Sequence, residues 1–283
     1  KIKKTINRID ENMSNNIVLH IFYIKFAQTK IIIYNLIILN VYFSNAFRIM
    51  MKKDSFKENE IRQYLSTLLS LLTEEEAREL FCNIKIKRYK KNEIIYKEGD
   101  VPTDLLCLIT GKVKVYKEGI SGRTQIIRVI KPVEYFGYRA YFANQNFITS
   151  AAAFETTYIC KIPLEYINKW LQKNNILAMF FIRQLSVDLG VSDQRTVNLT
   201  QKHIRGRLAE ALLFLIDCYG LEEDGATLSI YLSREDLANL SNMTTSNAIR
   251  TLSSFASEKI IAIDGKKIKI IELDKLKKIS KIG

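Results

Sequence analysis

Residues 233–271 read SREDLANLSNMTTSNAIRTLSSFASEKIIAIDGKKIKII, and their spacing predicts two short helices at a tight turn followed by a two-stranded hairpin. Ser233 is a candidate N-cap whose hydroxyl can accept from the amide of Asp236, and Glu235 and Asp236 suit the positive start of a helix. Leu237, Ala238 and Leu240 supply the first helix with an apolar face. Ser241 and Asn242 break the pattern, and asparagine tolerates the left-handed backbone of a turn. Thr244 can cap the second helix. At about 100° per residue, Ala248, Ile249, Leu252, Phe255 and Ala256 gather on one side of it as the expected core face. The opposite side carries Ser246, Asn247, Arg250 and Ser254, with no carboxylate to repel a phosphate. An arginine can bond a guanine edge bidentately, while Ser, Thr and Asn reach base edges or phosphates. The alternative reading is a solvated face on an ordinary amphipathic helix. The hairpin argues against it: Ile260, Ile261 and Ile263 lead through Asp264-Gly265 as a two-residue turn into a strand from Lys267 to Ile271. Together the elements outline a winged helix-turn-helix, with Lys266 and Lys267 at the wing tip. The expected DNA-contacting set is Thr244, Thr245, Ser246, Asn247, Arg250, Ser254, Lys266 and Lys267.

The chain has 283 residues, long for one domain, and 47% of them are hydrophobic, enough for real cores. A net charge of +13 with a pI near 9.4 points to an anionic partner. That charge is not concentrated in the last third, where residues 200–283 hold thirteen bases against eleven acids. Placement therefore carries the argument, with seven lysines between Lys266 and Lys281.

Cys82, Cys107, Cys160 and Cys218 lie far apart, without a C-x-x-C pair, and read as buried thiols in a reducing cytosol. Cys107 in LLCLI and Cys160 in YICKI sit in strand-like apolar runs, where cysteine acts as a small hydrophobe. With His20 and His203 as the two histidines of the chain, neither a zinc site nor a Ser-His-Asp arrangement can be assembled. No enzyme activity and no cofactor are expected.

Four segments follow. In residues 1–49, Ile, Lys, Asn, Phe and Tyr fill 31 of 49 positions; these residues share AT-rich codons, and the segment reads as translated upstream DNA or a disordered extension. Polar residues interrupt its apolar stretch from Ile17 to Phe43, too often for a helix across about 20 residues of hydrocarbon, so no membrane partner is expected. Residues 50–163 open with a helical pattern through Ile61, Leu65, Leu68, Leu69 and Leu72, with a Thr73 cap before Glu74 to Glu76. They continue as short strands such as EIIY, LLCLI, VKVY and QIIRVI between EGD, TGK, SGR and KPVE turns, the pattern of an all-β sandwich or barrel. Residues 164–203 are expected to form one long helix, in which Ile182, Leu185, Leu189, Ser192, Thr196 and Leu199 are spaced 3, 4, 3, 4 and 3. That is a heptad seam suited to a parallel dimer, or to packing on the chain's own barrel. Residues 204–283 begin with a helix through Leu208, Leu212, Leu213, Leu215 and Ile216 and end in the winged segment.

In this order, with the Y-F-G step at Tyr135 to Gly137, the tract IRGRLAEALLFL and then LSREDLANLSNMTTSNAIRTL, the chain resembles the Crp/Fnr family of bacterial transcription regulators from residue 60 to 283. The resemblance implies an α+β protein: an N-terminal jelly-roll-like β-roll sensor domain, a long dimerisation helix and a C-terminal winged helix-turn-helix domain. It implies a cytoplasmic homodimer that binds a two-fold symmetric, palindromic operator in double-stranded DNA and contacts RNA polymerase. The family's base-reading Glu and the Arg four residues on fall on Ser246 and Arg250, so the arginine matches and the acid does not. Cyclic-AMP-binding members place a Glu directly after F-G and an Arg about ten residues later. Here Tyr138 follows Phe136-Gly137, and no arginine occurs between Arg139 and Arg183. Candidate effector-pocket positions are Tyr138, Arg139, Thr149, Ser150, Ser192 and Asp193. An unpaired phosphate would be costly to bury there, which predicts a degenerate pocket that does not take cyclic AMP. The oxygen-sensing branch needs a cluster of N-terminal cysteines around iron and sulfur, where this chain has Cys82. The effector, activator or repressor action and the operator sequence stay open. The rival reading is a cyclic-nucleotide-type sensor with a protein or membrane partner as its output.

Overall fold

The computed structural model describes residues 56–119 and 122–282; the 1–49 segment, with its Ile17–Phe43 stretch, lies outside the described residues. Within those described, no helix is long and apolar enough to cross a membrane.

The helical stretch before the β region is three short helices, α1 (Glu58–Tyr64), α2 (Ser66–Leu69) and α3 (Glu74–Asn83). Ile61, Leu65 and Leu68 are fully buried. Thr73 starts α3 through a reciprocal cap: its hydroxyl accepts from the Glu76 amide at 3.3 Å, and the Glu76 carboxylate accepts from the Thr73 amide at 2.8 Å.

Eight strands follow: β1 (Lys85–Tyr89), β2 (Ile94–Tyr96), β3 (Asp104–Thr110), β4 (Val113–Glu118), β5 (Thr124–Ile130), β6 (Tyr135–Phe136), β7 (Ser150–Ala153) and β8 (Thr157–Pro163). They form two four-stranded sheets, ordered β1-β8-β3-β6 and β2-β7-β4-β5, with antiparallel pairing throughout. Leu106, Leu108 and Ile159 of the first sheet meet Val113, Val115 and Ile130 of the second in one core. Cys107 and Cys160 are register partners on β3 and β8 and both are buried, where burial pushes the Cys107 thiol up to about 12; contrary to expectation Cys82, near the end of α3, is exposed, and Cys218 is half-buried. The TGK turn requires its glycine: Gly111 has φ 94°, and a Cβ there would stand 2.8 Å from the Thr156 carbonyl oxygen.

The expected single helix over 164–203 is two helices, α5 (Leu164–Leu171) and α6 (Asn175–Gln201), after a one-turn helix α4 (Tyr138–Phe142) inside the roll. Asn174 causes the break. Its side-chain oxygen caps α6 by accepting from the Leu177 amide at 3.0 Å, while its amide group donates to the Leu71 carbonyl at 2.7 Å. A tertiary partner thus stabilises a new helix start that periodicity does not reveal.

The C-terminal part comprises α7 (Ile204–Tyr219), α8 (Arg234–Leu240), α9 (Thr245–Ser257), the hairpin β9 (Ile261–Asp264) and β10 (Lys267–Ile270), and α10 (Leu273–Ile282). Leu208, Leu212, Leu237, Leu252, Phe255 and Ile268 share a core that continues into Ile126 and Val129 of β5 and Phe154. The winged segment therefore packs on the β-roll as well as on α7, and the Tyr219 hydroxyl adds a 2.9 Å hydrogen bond to the Ile130 carbonyl.

Candidate nucleic-acid interface and effector pocket

Local chemistry builds the helix-turn-helix as its residues dictate. The Ser233 hydroxyl accepts from the Asp236 amide at 3.0 Å, and Leu237, Ala238 and Leu240 are buried. Asn242 adopts φ 50°, which turns the chain so that Thr244 caps α9, its hydroxyl accepting from the Asn247 amide at 3.3 Å.

The faces of α9 differ from the helical wheel in two places. Ala248, Leu252 and Phe255 are buried as expected, but Thr251 joins them, and Ile249 is 47% exposed. Ile249 belongs to the outward face with Thr245, Ser246, Arg250 and Ser253. Ser254 is half-buried and engaged within the chain: the Arg205 guanidinium donates to its oxygen at 2.5 Å, and its hydroxyl donates to the Glu258 carboxylate at 2.7 Å. Arg205 also pairs with Glu258 at 2.8 Å, and these hydrogen bonds from Arg205, then Ser254, hold the Glu258 carboxyl below its ordinary value. The one acid near the end of α9 is thereby neutralised. Arg250 is exposed and has no ion-pair or hydrogen-bond partner among the described residues.

The wing is shifted by one residue from expectation. Asp264 pairs with Lys267, so the turn is Gly265-Lys266 and not Asp264-Gly265, with Gly265 at φ 55° supplying the left-handed position. Ile261, Ile268 and Ile270 pack inward, and β10 is placed from outside the hairpin, the Leu228 amide donating to the Ile268 carbonyl and the Ile270 amide to the Ala226 carbonyl, both at 2.9 Å. Arg234 fastens the tip by donating to the Gly265 carbonyl at 2.7 Å. Lys266 and Lys267 are exposed there, Lys267 standing 5.5 Å above the Tyr231 ring.

The effector-pocket candidates have diverse surroundings. Tyr138 is 3% exposed and packs edge-on against Phe142 and Phe181, with ring centroids 6.0 and 5.2 Å away. Tyr96 stacks on Phe147 at 3.9 Å and is hydrogen-bonded to Thr149. Ser150 accepts from the Glu98 amide at 2.9 Å. Arg139 is exposed, and Ser192 and Asp193 are exposed on α6. A residue that pattern reading passed over, Arg128 on β5, reaches α6: it donates to Asp188 at 2.6 Å and to Glu134. Burial works against this charge, yet Glu134 and then Asp188 hold the guanidinium above its usual range. Nothing in the alternation of β5 distinguishes Arg128 from a solvent-facing arginine.

Along the heptad seam, Ile182, Leu189, Ser192 and Thr196 are exposed, and Leu185 and Leu199 are half-buried. Ile176, Met179, Val187, Val191 and Val197 of the same helix are also exposed.

A β-roll followed by a long helix and a winged helix-turn-helix defines a DNA-binding regulator with a sensor-type domain. The comparisons agree. The cyclic nucleotide-binding domain model matches residues 86–174 and the Crp-like helix-turn-helix domain model residues 206–279, together more than half of the chain. The CRP-like cAMP-activated global transcriptional regulator of Mycobacterium tuberculosis is 23% identical over 189 residues, 66% of this chain and 84% of that protein. The regulatory protein HlyX of Actinobacillus pleuropneumoniae is 26% identical over 207 residues, 72% and 86% of the two chains. Among solved structures, FixK2 from Bradyrhizobium japonicum superimposes with a TM-score of 0.64 at 21% identity, covering 69% of this chain and 96% of FixK2. A CRP/FNR-family regulator from Thermus thermophilus gives 0.59 at 23% identity, covering 70% and 98%. The chain belongs to the Crp/Fnr family of transcription regulators.

Proposed function

We propose that the protein acts as a homodimer on a two-fold symmetric operator, with α9 in the major groove and the wing on the flanking backbone. The observation that carries this is the outward face of α9: Thr245, Ser246, Ile249, Arg250 and Ser253 form a surface with one guanidinium, unpartnered among the described residues, and no carboxylate. Arg250 suits a guanine edge, Ile249 the methyl group of a thymine, and the hydroxyls phosphates or base edges. Thr244 and Asn247 orient the start of the helix, and Lys266 and Lys267 supply sequence-independent backbone contacts.

Dimerisation through α6 is supported by the seven large apolar side chains that this helix leaves exposed, from Ile176 to Val197. A helix of 27 residues, about 40 Å long, offers a second copy a continuous surface. RNA polymerase is the proposed protein partner and the cytoplasm the proposed location. In the β-roll, Tyr138 stands where a ribose-binding acid would be needed and is consumed by aromatic packing, which supports a domain that does not respond to cyclic AMP.

Selection of duplexes from a random pool by the purified chain tests the reading. An inverted repeat with half-sites about 10 base pairs apart, centre to centre, or a multiple of that is expected. Recovery of unenriched sequence would refute it.

A further inference from the structure

A cavity of about 190 Å³ lies where the C-terminal half of α6 meets α7 and the end of α8, apart from the aromatic interior of the β-roll. Arg195, Asn198, Arg207, Glu210, Phe214 and Leu240 are among the residues that line it. Its charges do not balance. Glu210 is already bonded to Lys202 at 3.1 Å and to Asn198. Arg195 donates to the Ile127 carbonyl and stands 5.2 Å over the Phe214 ring. Neither of these two partners is an anion; burial pushes the Arg195 guanidinium down from its ordinary range, and the Glu210 carboxylate nearby offsets this only in part. Arg207 donates to the Leu199 carbonyl at 3.1 Å, while its Nε is buried with no partner among the described residues. A buried donor left unmet is costly, and a carboxylate is the acceptor that matches a guanidinium best.

We propose that this cavity binds a small organic anion, a carboxylate on a compact apolar body, and that its occupancy changes DNA affinity. The second half rests on the function proposed above. Size and lining choose the ligand class. A dry cavity of about 150 Å³ takes benzene, so this one admits a molecule the size of benzoate, and a bare inorganic ion would leave the Phe214 and Leu240 walls uncovered. The walls belong to α6 on one side and to the DNA-binding domain on the other, with buried Ser241 of the turn after α8 among the lining residues. A ligand that touches both sides and binds one arrangement better draws the population toward it.

Calorimetric titration of the full chain with benzoate and hexanoate, using benzamide as the neutral isostere of benzoate, tests the site. One saturable site per chain is expected for benzoate, with benzamide weaker by about tenfold or more, the worth of a charge-assisted hydrogen bond. Arg207→Gln, checked for folding by circular dichroism, should cost benzoate a similar factor. Gln194 lines the same cavity from its exposed side and donates to the Asn198 side chain at 3.2 Å, so its variants are checked for folding in the same way. Gln194→Lys should tighten benzoate and Gln194→Glu loosen it, each by about threefold. No saturable binding of either carboxylate, equal binding of benzamide, or indifference to the Gln194 charge would overturn the site. Gel shifts with and without saturating benzoate read the second half. An unchanged operator affinity overturns the regulatory role, whereas a chain that binds no DNA in either state refutes the function proposed above and leaves the calorimetric result standing.

Discussion

Lys114 on β4 and Asp236 at the start of α8, 122 positions apart in sequence, form a 2.7 Å ion pair between the β-roll and the helix-turn-helix. Their side chains are 18% and 19% exposed, so the pair is shielded from salt more than a surface bridge. It sits beside the Ile126 and Val129 contact with the C-terminal core. A double-mutant cycle with Lys114→Met and Asp236→Asn, followed by urea unfolding, should give a coupling of about 1 to 2 kcal/mol, between the surface and buried limits. A coupling near zero would mean that apolar contact alone joins the two parts.

Arg250→Ala should cost about 1 to 3 kcal/mol at the selected operator and leave thermal stability unchanged, because the side chain is exposed. Lys266→Ala and Lys267→Ala should weaken all duplexes alike, each lowering the salt slope by about one unit as one phosphate goes unneutralised. Equal loss on operator and random DNA for Arg250→Ala would remove it from the reading face.

Ile249 makes a prediction that the sequence pattern alone would not have made. If it meets a thymine methyl, deoxyuridine at one operator position should weaken wild-type binding and leave Ile249→Ala indifferent. Stability should hold within about 0.5 kcal/mol, as for most surface substitutions. A loss of several kcal/mol in the melt would instead return Ile249 to the core.

Cyclic AMP should give no stoichiometric isotherm at micromolar concentration, and operator affinity should not depend on it. Tyr138 offers no acid to a ribose hydroxyl, and Arg128, the cation that joins β5 to α6, is already held by Glu134 and Asp188. A micromolar isotherm would show that Arg139 or another cation meets the phosphate.

The Arg205–Glu258 pair predicts a pH dependence. Arg205, then Ser254, lowers the folded-state pKa of Glu258 from its ordinary value of 4.5. The stabilisation is therefore present above about pH 4.5 and lost as pH falls through the depressed folded value. The melting-temperature difference between the wild type and Glu258→Gln should be constant from pH 6 to 8, about neutrality, and should shrink below 4.5. A difference that persists at pH 3, well under the ordinary range, would assign the effect to packing.

What depended on neighbours within one helical turn, helix caps and single turn residues above all, was written in the sequence of this chain. Ser233 and Thr244 cap helices through amides three residues on, Asn242 turns left-handed by its own tolerance, and the short runs between EGD, TGK and KPVE become strands of the roll. Such preferences act before any distant contact forms, so they can be read without one. Tertiary structure decided the remainder. The helix break at Asn174 needs the Leu71 carbonyl, the placing of β10 needs the Leu228 amide and the Ala226 carbonyl, and exchanging Thr251 for Ile249 inside α9 depends on what α9 packs against. Arg128 finds Asp188 sixty residues away, and the cavity between α6, α7 and α8 exists because three separate segments converge around two arginines. Each of these is set by partners far along the chain, whose approach only the packed core determines.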